Sequence, residues 1–600
     1  MKHPLAQSWD LDAIFPGGSH SQEFADFLQA LAVDIARFRA AVIEVRKDHA
    51  SASTASPWLP AIEALQSILK RVREADSFTA CLAAENQQDR KAVQLGGRVR
   101  TLAASLAAEL TRFDQALSEI PDAAWSKMLE HPDLVSVAFG LDERRRSARE
   151  KLAPEMEALI GDLAVDGYHG WGENYNTTVS QIRIPYEEDG RTVELSAGQA
   201  HNKLLHSDRA VRRTMFAGWE EAWGGSADHC ADALNRLAGF RLQVYKHRNW
   251  DSIHKEPLDV NRMSESTLHA MWEAIDRNKG IFVKVLERKA KWLGVDRLAW
   301  YDLEAPIGSA AKAISYDEGA DLIVEQFGRF SPKLAEFAAT AFDKRWIEAE
   351  DRPGKRPGGF CTSFPVKEQT RIFLTYAGNA SNVATLAHEL GHAFHQHVMD
   401  DLPALAQEYA MNVAETASTF AEMIVADALL KQAATPEERL ALLEDKVQRS
   451  VTFFMNIHAR FIFETNFYAE RKQGLVGVDR LNALMEEAQK EAYCGSLSEY
   501  HPLFWASKLH FYITEVPFYN FPYTFGYLFS SGLYAEAQRK PDGFEDKYIA
   551  LLRDTGSMTV EDLARKHLGV DLTKPDFWQA AIDLAVADAE LFLELAKNET

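Results

Sequence analysis

Cysteine is scarce. The 600 residues contain four, Cys81, Cys230, Cys361 and Cys494, and no two of them form a Cys-x-x-Cys pair. This spacing excludes a disulfide framework and a cysteine-built zinc site, and it fits a reducing compartment. Basic residues are outnumbered, 66 against 88 acidic, for a net charge of −22. Such a balance argues against nucleic acid or an anionic membrane as a main partner. There is no run of 18 apolar residues, so a membrane-spanning helix is not expected. The N-terminus, Met1-Lys-His-Pro, lacks the apolar core of a signal peptide. A cytoplasmic location is the default expectation. Internal repeats, low-complexity tracts and long linkers are also missing. What remains, with 46% hydrophobic and 26% charged residues, is an ordinary globular composition.

The informative stretch is Thr385-Leu-Ala-His-Glu-Leu-Gly-His-Ala-Phe-His395. His388, Glu389 and His392 are spaced His-Glu-x-x-His. On a helix, residues four apart lie on one face, so both imidazoles can reach one zinc ion. The intervening Glu389 then faces the water that zinc would hold. Leu386, Leu390, Ala393 and Phe394 supply a helical apolar pattern, and no proline interrupts Thr385 to Asp400.

A hydrolytic zinc site needs a third protein ligand. The metzincin extension requires Gly at 395 and His at 398; this chain has His395 and Val398. The next predicted helix carries Glu415 and Glu422, two turns apart, in an otherwise apolar run. Carboxylates there are costly unless paired or bound to metal. Glu415 is therefore the expected third ligand, and Glu422 the partner that orients a ligand histidine. His395 ranks below Glu415, because three nitrogens from one straight helix do not easily close a tetrahedron.

The run His388-Glu-Leu-Gly-His-Ala-Phe-His395, then Glu415-Thr-Ala-Ser418, then His510-Phe-Tyr512 and Phe518-Tyr-Asn-Phe-Pro-Tyr-Thr-Phe-Gly-Tyr527 resembles the thimet oligopeptidase and oligoendopeptidase F family of zinc metallopeptidases. It is most similar to the oligoendopeptidase F branch. The resemblance is strong over about 358–540 and weaker before that. It implies a mainly α fold: two helical lobes around a deep substrate channel, with a small β-sheet next to the His-Glu-x-x-His helix. It implies one zinc ion per chain and endopeptidase action on short peptides, with Glu389 as general base. It also implies a His and tyrosines that steady the oxyanion. His510 fits, and Tyr512, Tyr519 and Tyr523 all suit the spacing. Tyr519 and Tyr523 are preferred for catalysis, with Tyr512 assigned to substrate binding. The alternatives are a metallocarboxypeptidase of similar build and an inactive peptide-binding protein.

Texture along the chain divides it. Residues 1–195 read as an N-terminal helical region ending in a hairpin, and 196–600 as the catalytic domain. The stripe Phe24, Phe27, Leu28, Leu31, Ile35 and Phe38 predicts the first long helix, with Ser19 and Gln22 as its capping box. Val179–Ile184 and Thr192–Leu195 predict the hairpin. Phe360–Phe364 and Arg371–Tyr376 predict two strands just before the zinc helix. There Gly358, Gly359 and Phe360 are the expected substrate-binding residues, by strand addition of an extended peptide. The sequence leaves the oligomeric state open.

Overall fold

The predicted stripe lies on one face of a helix that runs from Gln22 to Lys47. Phe24, Leu28, Leu31, Ile35 and Phe38 are all buried on it. Its start differs from expectation. Ser21, not Ser19, accepts the Phe24 N–H, at 3.2 Å, because the first helical residue is Gln22. These features come from a computed structural model, which describes residues 4–47, 55–188, 190–307, 313–356 and 358–599.

The chain is mainly helical. Among the described residues there are five strands: β1 (Ile184–Glu188), β2 (Arg191–Leu195), β3 (Ile347–Glu348), β4 (Phe360–Phe364) and β5 (Gln369–Phe373). β1 and β2 form an antiparallel hairpin that pairs Ile184 with Leu195. Val179 is not in it. The helix Gly170–Gln181 continues through that segment and buries Tyr175, so packing overrides the local β-propensity of Thr177, Thr178 and Val179. The second sheet has the order β3-β5-β4. β4 falls where predicted, β5 begins two residues early, and the short parallel β3 is an addition.

Two compact units are assembled from interleaved stretches. Unit one comprises Met1–Lys151, Lys312–Ala428 and Glu536–Gly569; unit two comprises Leu152–Ala311, Leu429–Ala535 and Val570–Thr600. The division expected at 195/196 coincides with neither unit's limits. No helix among the described residues is long and apolar enough to cross a membrane. The cysteines are free, as their spacing predicts.

In unit one an aromatic core joins the N-terminal segment to the sheet. Phe15, Phe24 and Phe78 meet with ring centroids 4.8–5.0 Å apart, and Trp9 sits 5.7 Å from Phe373 of β5. β4 and β5 in turn lie against the helix Ala380–His397, which carries the His-Glu-x-x-His motif. Unit two is built on long helices, among them Glu265–Trp292 packed along Pro575–Leu595.

Candidate metal centre

Asn379 caps the motif helix by accepting the Asn382 N–H at 2.8 Å. Leu386, Leu390, Ala393 and Phe394 are buried, so one face is fixed in the core of unit one. That leaves His388 and His392 partly exposed, at 26% and 21% of the side chain.

The helix Met411–Gln432 crosses close by, and Gly391 is the reason it can. A Cβ at Gly391 would stand 2.5 Å from the Ala417 carbonyl oxygen and 2.6 Å from the Ser418 Cα. Only glycine permits that approach. It brings the Glu415 carboxylate 3.3 Å from His388 Nε2 and 3.4 Å from His392 Nε2. A tetrahedral zinc with bonds of about 2.0–2.1 Å needs donor atoms about 3.3–3.4 Å apart. The donor set, two imidazoles and one carboxylate, is that of a hydrolytic zinc site with a position left for water. The residues therefore fit the ion.

Two contacts hold these side chains in place. His388 Nδ1 donates to Glu422 Oε2 at 3.2 Å, which turns Nε2 toward Glu415. Ser418 donates its hydroxyl to Glu415 Oε2 at 2.8 Å. Ser418 escaped the sequence reading; its signal was a hydroxyl one helical turn after a candidate ligand. Burial pushes the Glu415 carboxyl up, but hydrogen bonds from His388 and His392 overcome this and hold it below the usual range. His395 is no ligand here. Its Nε2 lies 2.9 Å from Thr555 Oγ1, its ring stacks on Tyr409, and burial pushes it down to about 3.

Glu389 is buried, 7% exposed, beside the triad. Burial raises its carboxyl above the ordinary range; His392 and His388 oppose this and Glu415 adds to it. The start of β4 comes to within contact of it. A Cβ at Gly359 would lie 3.4 Å from Glu389 Oε1 and 3.2 Å from the Phe373 carbonyl oxygen. Gly358 is exposed with φ of +93°, a conformation glycine adopts freely. Phe360 stacks on Phe373 at 5.2 Å, so its ring is largely committed to the core.

The other candidates lie in unit two. His510, Tyr519 and Tyr523 gather, with ring centroids 5.6, 6.3 and 5.9 Å apart pairwise. Burial, then the charges of Arg460 and Lys508, push the His510 imidazole down to about 4, so it is neutral near pH 7. Tyr512 does not belong with the substrate-binding residues. It is 2% exposed, stacks on Tyr175 at 3.5 Å, and donates its hydroxyl to the Trp505 carbonyl at 3.2 Å. Its surface and its hydroxyl are both used within the core.

The chain is similar to known proteins. The family model described as "Oligopeptidase F" matches residues 117–184, and the one described as "Peptidase family M3" matches 204–584. "Oligopeptidase PepF" of Bacillus subtilis is 24% identical over 497 residues, covering 81% of this chain and 72% of its own. A solved structure of a putative peptidase from Chlamydophila abortus superposes with a TM-score of 0.84 at 18% identity, covering 98% of each chain. Oligoendopeptidase F from Enterococcus faecium gives 0.71 at 19% identity, covering 96% of this chain and 99% of its own. With the motif helix and the Glu415 helix both inside the 204–584 match, this chain belongs to peptidase family M3 and is a metalloendopeptidase.

Proposed function

We propose that the chain is a zinc-dependent endopeptidase that cuts internal bonds of short peptides. The observation that carries this reading is the spacing of His388 Nε2, His392 Nε2 and Glu415 Oε2, with the buried Glu389 next to them. Zinc held by these three residues supplies Lewis-acid polarisation of the scissile carbonyl and a water of lowered pKa. Glu389 is the general base. Its burial favours the protonated carboxyl, so it can take a proton from water, hold it on a carboxylate oxygen and pass it to the leaving amine. Glu422 keeps the His388 ring oriented while this happens.

β4 lies at an edge of its sheet, and Gly358 and Gly359 lead into it, with Gly359 beside Glu389. An extended peptide added to that edge would be held by its backbone, which gives loose side-chain selectivity. For His510, Tyr519 and Tyr523 we keep the role of hydrogen-bond donors to the oxyanion, where one donor is typically worth about 10²–10³ in rate. The scarcity of cysteine supports a cytoplasmic setting.

The test uses quenched peptides of about 5–20 residues with amidated C-termini, alongside unfolded casein. Internal cleavage of the peptides, loss of activity on chelation and its return with zinc are expected. Casein should be cut far more slowly. Cleavage that requires a free C-terminus would instead make the enzyme a carboxypeptidase.

A further inference from the structure

In unit two the buried Arg460 and the half-buried Lys508 have no counter-charge in contact among the described residues. Arg460 and Lys508 line one cavity of about 80 Å³. Both rest against the same ring, Phe504, with the guanidinium carbon 5.2 Å and the ammonium nitrogen 5.0 Å from its centroid. Arg460 Nε donates to Asn456 Oδ1 and its Nη1 to Asn520 Oδ1, each at 2.8 Å. Both acceptors are neutral amides, and three of the five guanidinium N–H donors remain. Among the described residues no carboxylate forms an ion pair with either cation. Buried charges are normally paired, and two of one sign against one ring are costlier still.

The surroundings say what would offset them. The other ionisable groups of the wall are His201, Glu304, Tyr301, Tyr493 and His501. His501 is engaged by Glu220, and His201 and Glu304 are exposed at the rim. Once Glu304 is set against the two cations, one positive charge is left over, which matches a monoanion. Phe216, Trp219 and Trp300 add aromatic surface to the wall. A single water needs roughly 10–15 Å³ on this measure, so the space takes a group of several heavy atoms. A π-helical turn, Thr452–Asn456, interrupts the long helix at the cavity and presents Thr452 and Asn456 to it. Such turns are rare and concentrate at functional sites.

We propose that this cavity binds a monoanionic carboxylate bearing an apolar group, with Arg460 and Lys508 as its counter-charges. Arg460 offers the planar fork that suits a carboxylate, Lys508 a point charge, and the aromatic wall receives the apolar part. Burial and then Arg460 push the Lys508 ammonium down to about 8, and a bound carboxylate would reverse that. The ligand could be the C-terminus of a peptide or a free small acid. The inference goes beyond the proposed hydrolysis and does not depend on it.

The test is calorimetric titration of the full chain with 3-phenylpropanoate, with Gly-Gly-Phe and with the amides of both. Each is run with metal present and after chelation, so that binding at the triad is recognised. At least one acid should bind at least tenfold tighter than its amide, with or without metal. Binding by both acids means that a small carboxylate suffices. Binding by the tripeptide alone identifies a peptide C-terminus, and by 3-phenylpropanoate alone a free acid. Lys508→Met should weaken the acid about tenfold and leave the amide unchanged, and Lys508→Arg should restore most of it. Lys508 donates no hydrogen bond to the protein among the described residues, so these variants should fold. Acid and amide binding alike, no binding of either acid at millimolar concentration, acid binding that vanishes on chelation, or wild-type acid affinity in Lys508→Met would each overturn the proposal.

Discussion

Gly391 faces the Ala417 carbonyl at a distance that a Cβ would reduce to 2.5 Å. That one approach sets the separation between the helix that carries His388 and His392 and the helix that carries Glu415. Gly391→Ala must push the helices apart, since the obstacle is backbone and cannot rotate away. Overpacking of this kind costs about 1–3 kcal/mol. A larger effect is expected on the metal, with zinc affinity falling at least tenfold because the three donors no longer meet. Zinc content after dialysis, with a thermal melt beside it, measures both. Wild-type affinity in the variant would show that the approach is not what assembles the triad.

The carboxylates near the triad should separate by role. Glu389→Gln keeps its shape and should retain zinc and fold, while activity falls by several orders of magnitude. Glu415→Ala should lose the metal. Glu422→Ala releases the His388 Nδ1 contact and removes no proposed ligand, so metal affinity or activity should fall about 10–100-fold. Metal analysis and peptide kinetics on the three variants decide it, and metal loss in Glu422→Ala alone would reverse the ligand assignment.

Glu74 ties stability to pH. It is fully buried under the β4–β5 turn, where Oε2 accepts the Val366 N–H at 2.9 Å. Burial pushes its carboxyl up to about 7, against the opposing backbone hydrogen bonds and the charges of Lys367 and Arg371. A raised carboxyl favours the folded state when protonated. That contribution is complete below the unfolded value, about 4.3, and is lost as pH rises through about 7. By pH 8 the loss is on the order of 3 kcal/mol. Glu74→Gln should therefore raise the melting temperature relative to wild type at pH 8 and change it little at pH 5. Equal shifts at both pH values would refute the linkage.

Tyr512 and Tyr523 should respond differently to loss of the hydroxyl. Tyr512→Phe removes a buried hydrogen bond to the Trp505 carbonyl, worth about 1 kcal/mol, and leaves an unpaired acceptor. It should melt earlier with kcat/KM within about twofold of wild type. Tyr523→Phe should lower kcat by an order of magnitude or more if its hydroxyl meets the oxyanion. A kinetic defect confined to Tyr512→Phe would return Tyr512 to the site.

The sequence by itself determined whatever depends on local periodicity. Residues four apart on a helix share a face in any fold, so His388 and His392 were legible as a pair, and Glu415 and Glu422 were legible as two carboxylates on one face of an apolar helix. The long first helix and strand β4 were legible for the same reason. Tertiary structure alone decided what depends on distance between segments far apart in the chain. Gly391 and Gly359 are two glycines among 33 until a neighbouring helix or a carboxylate is seen against them. Tyr512 and Tyr523 have the same chemistry, and only burial against Tyr175 removes one from consideration. Arg460 and Lys508 carry no motif, and their missing counter-charge appears only when the helices around Phe504 are in place. The expected boundary at 195/196 did not match the compact units, because each unit draws its helices from three separated stretches and no local signal encodes which of them pack together.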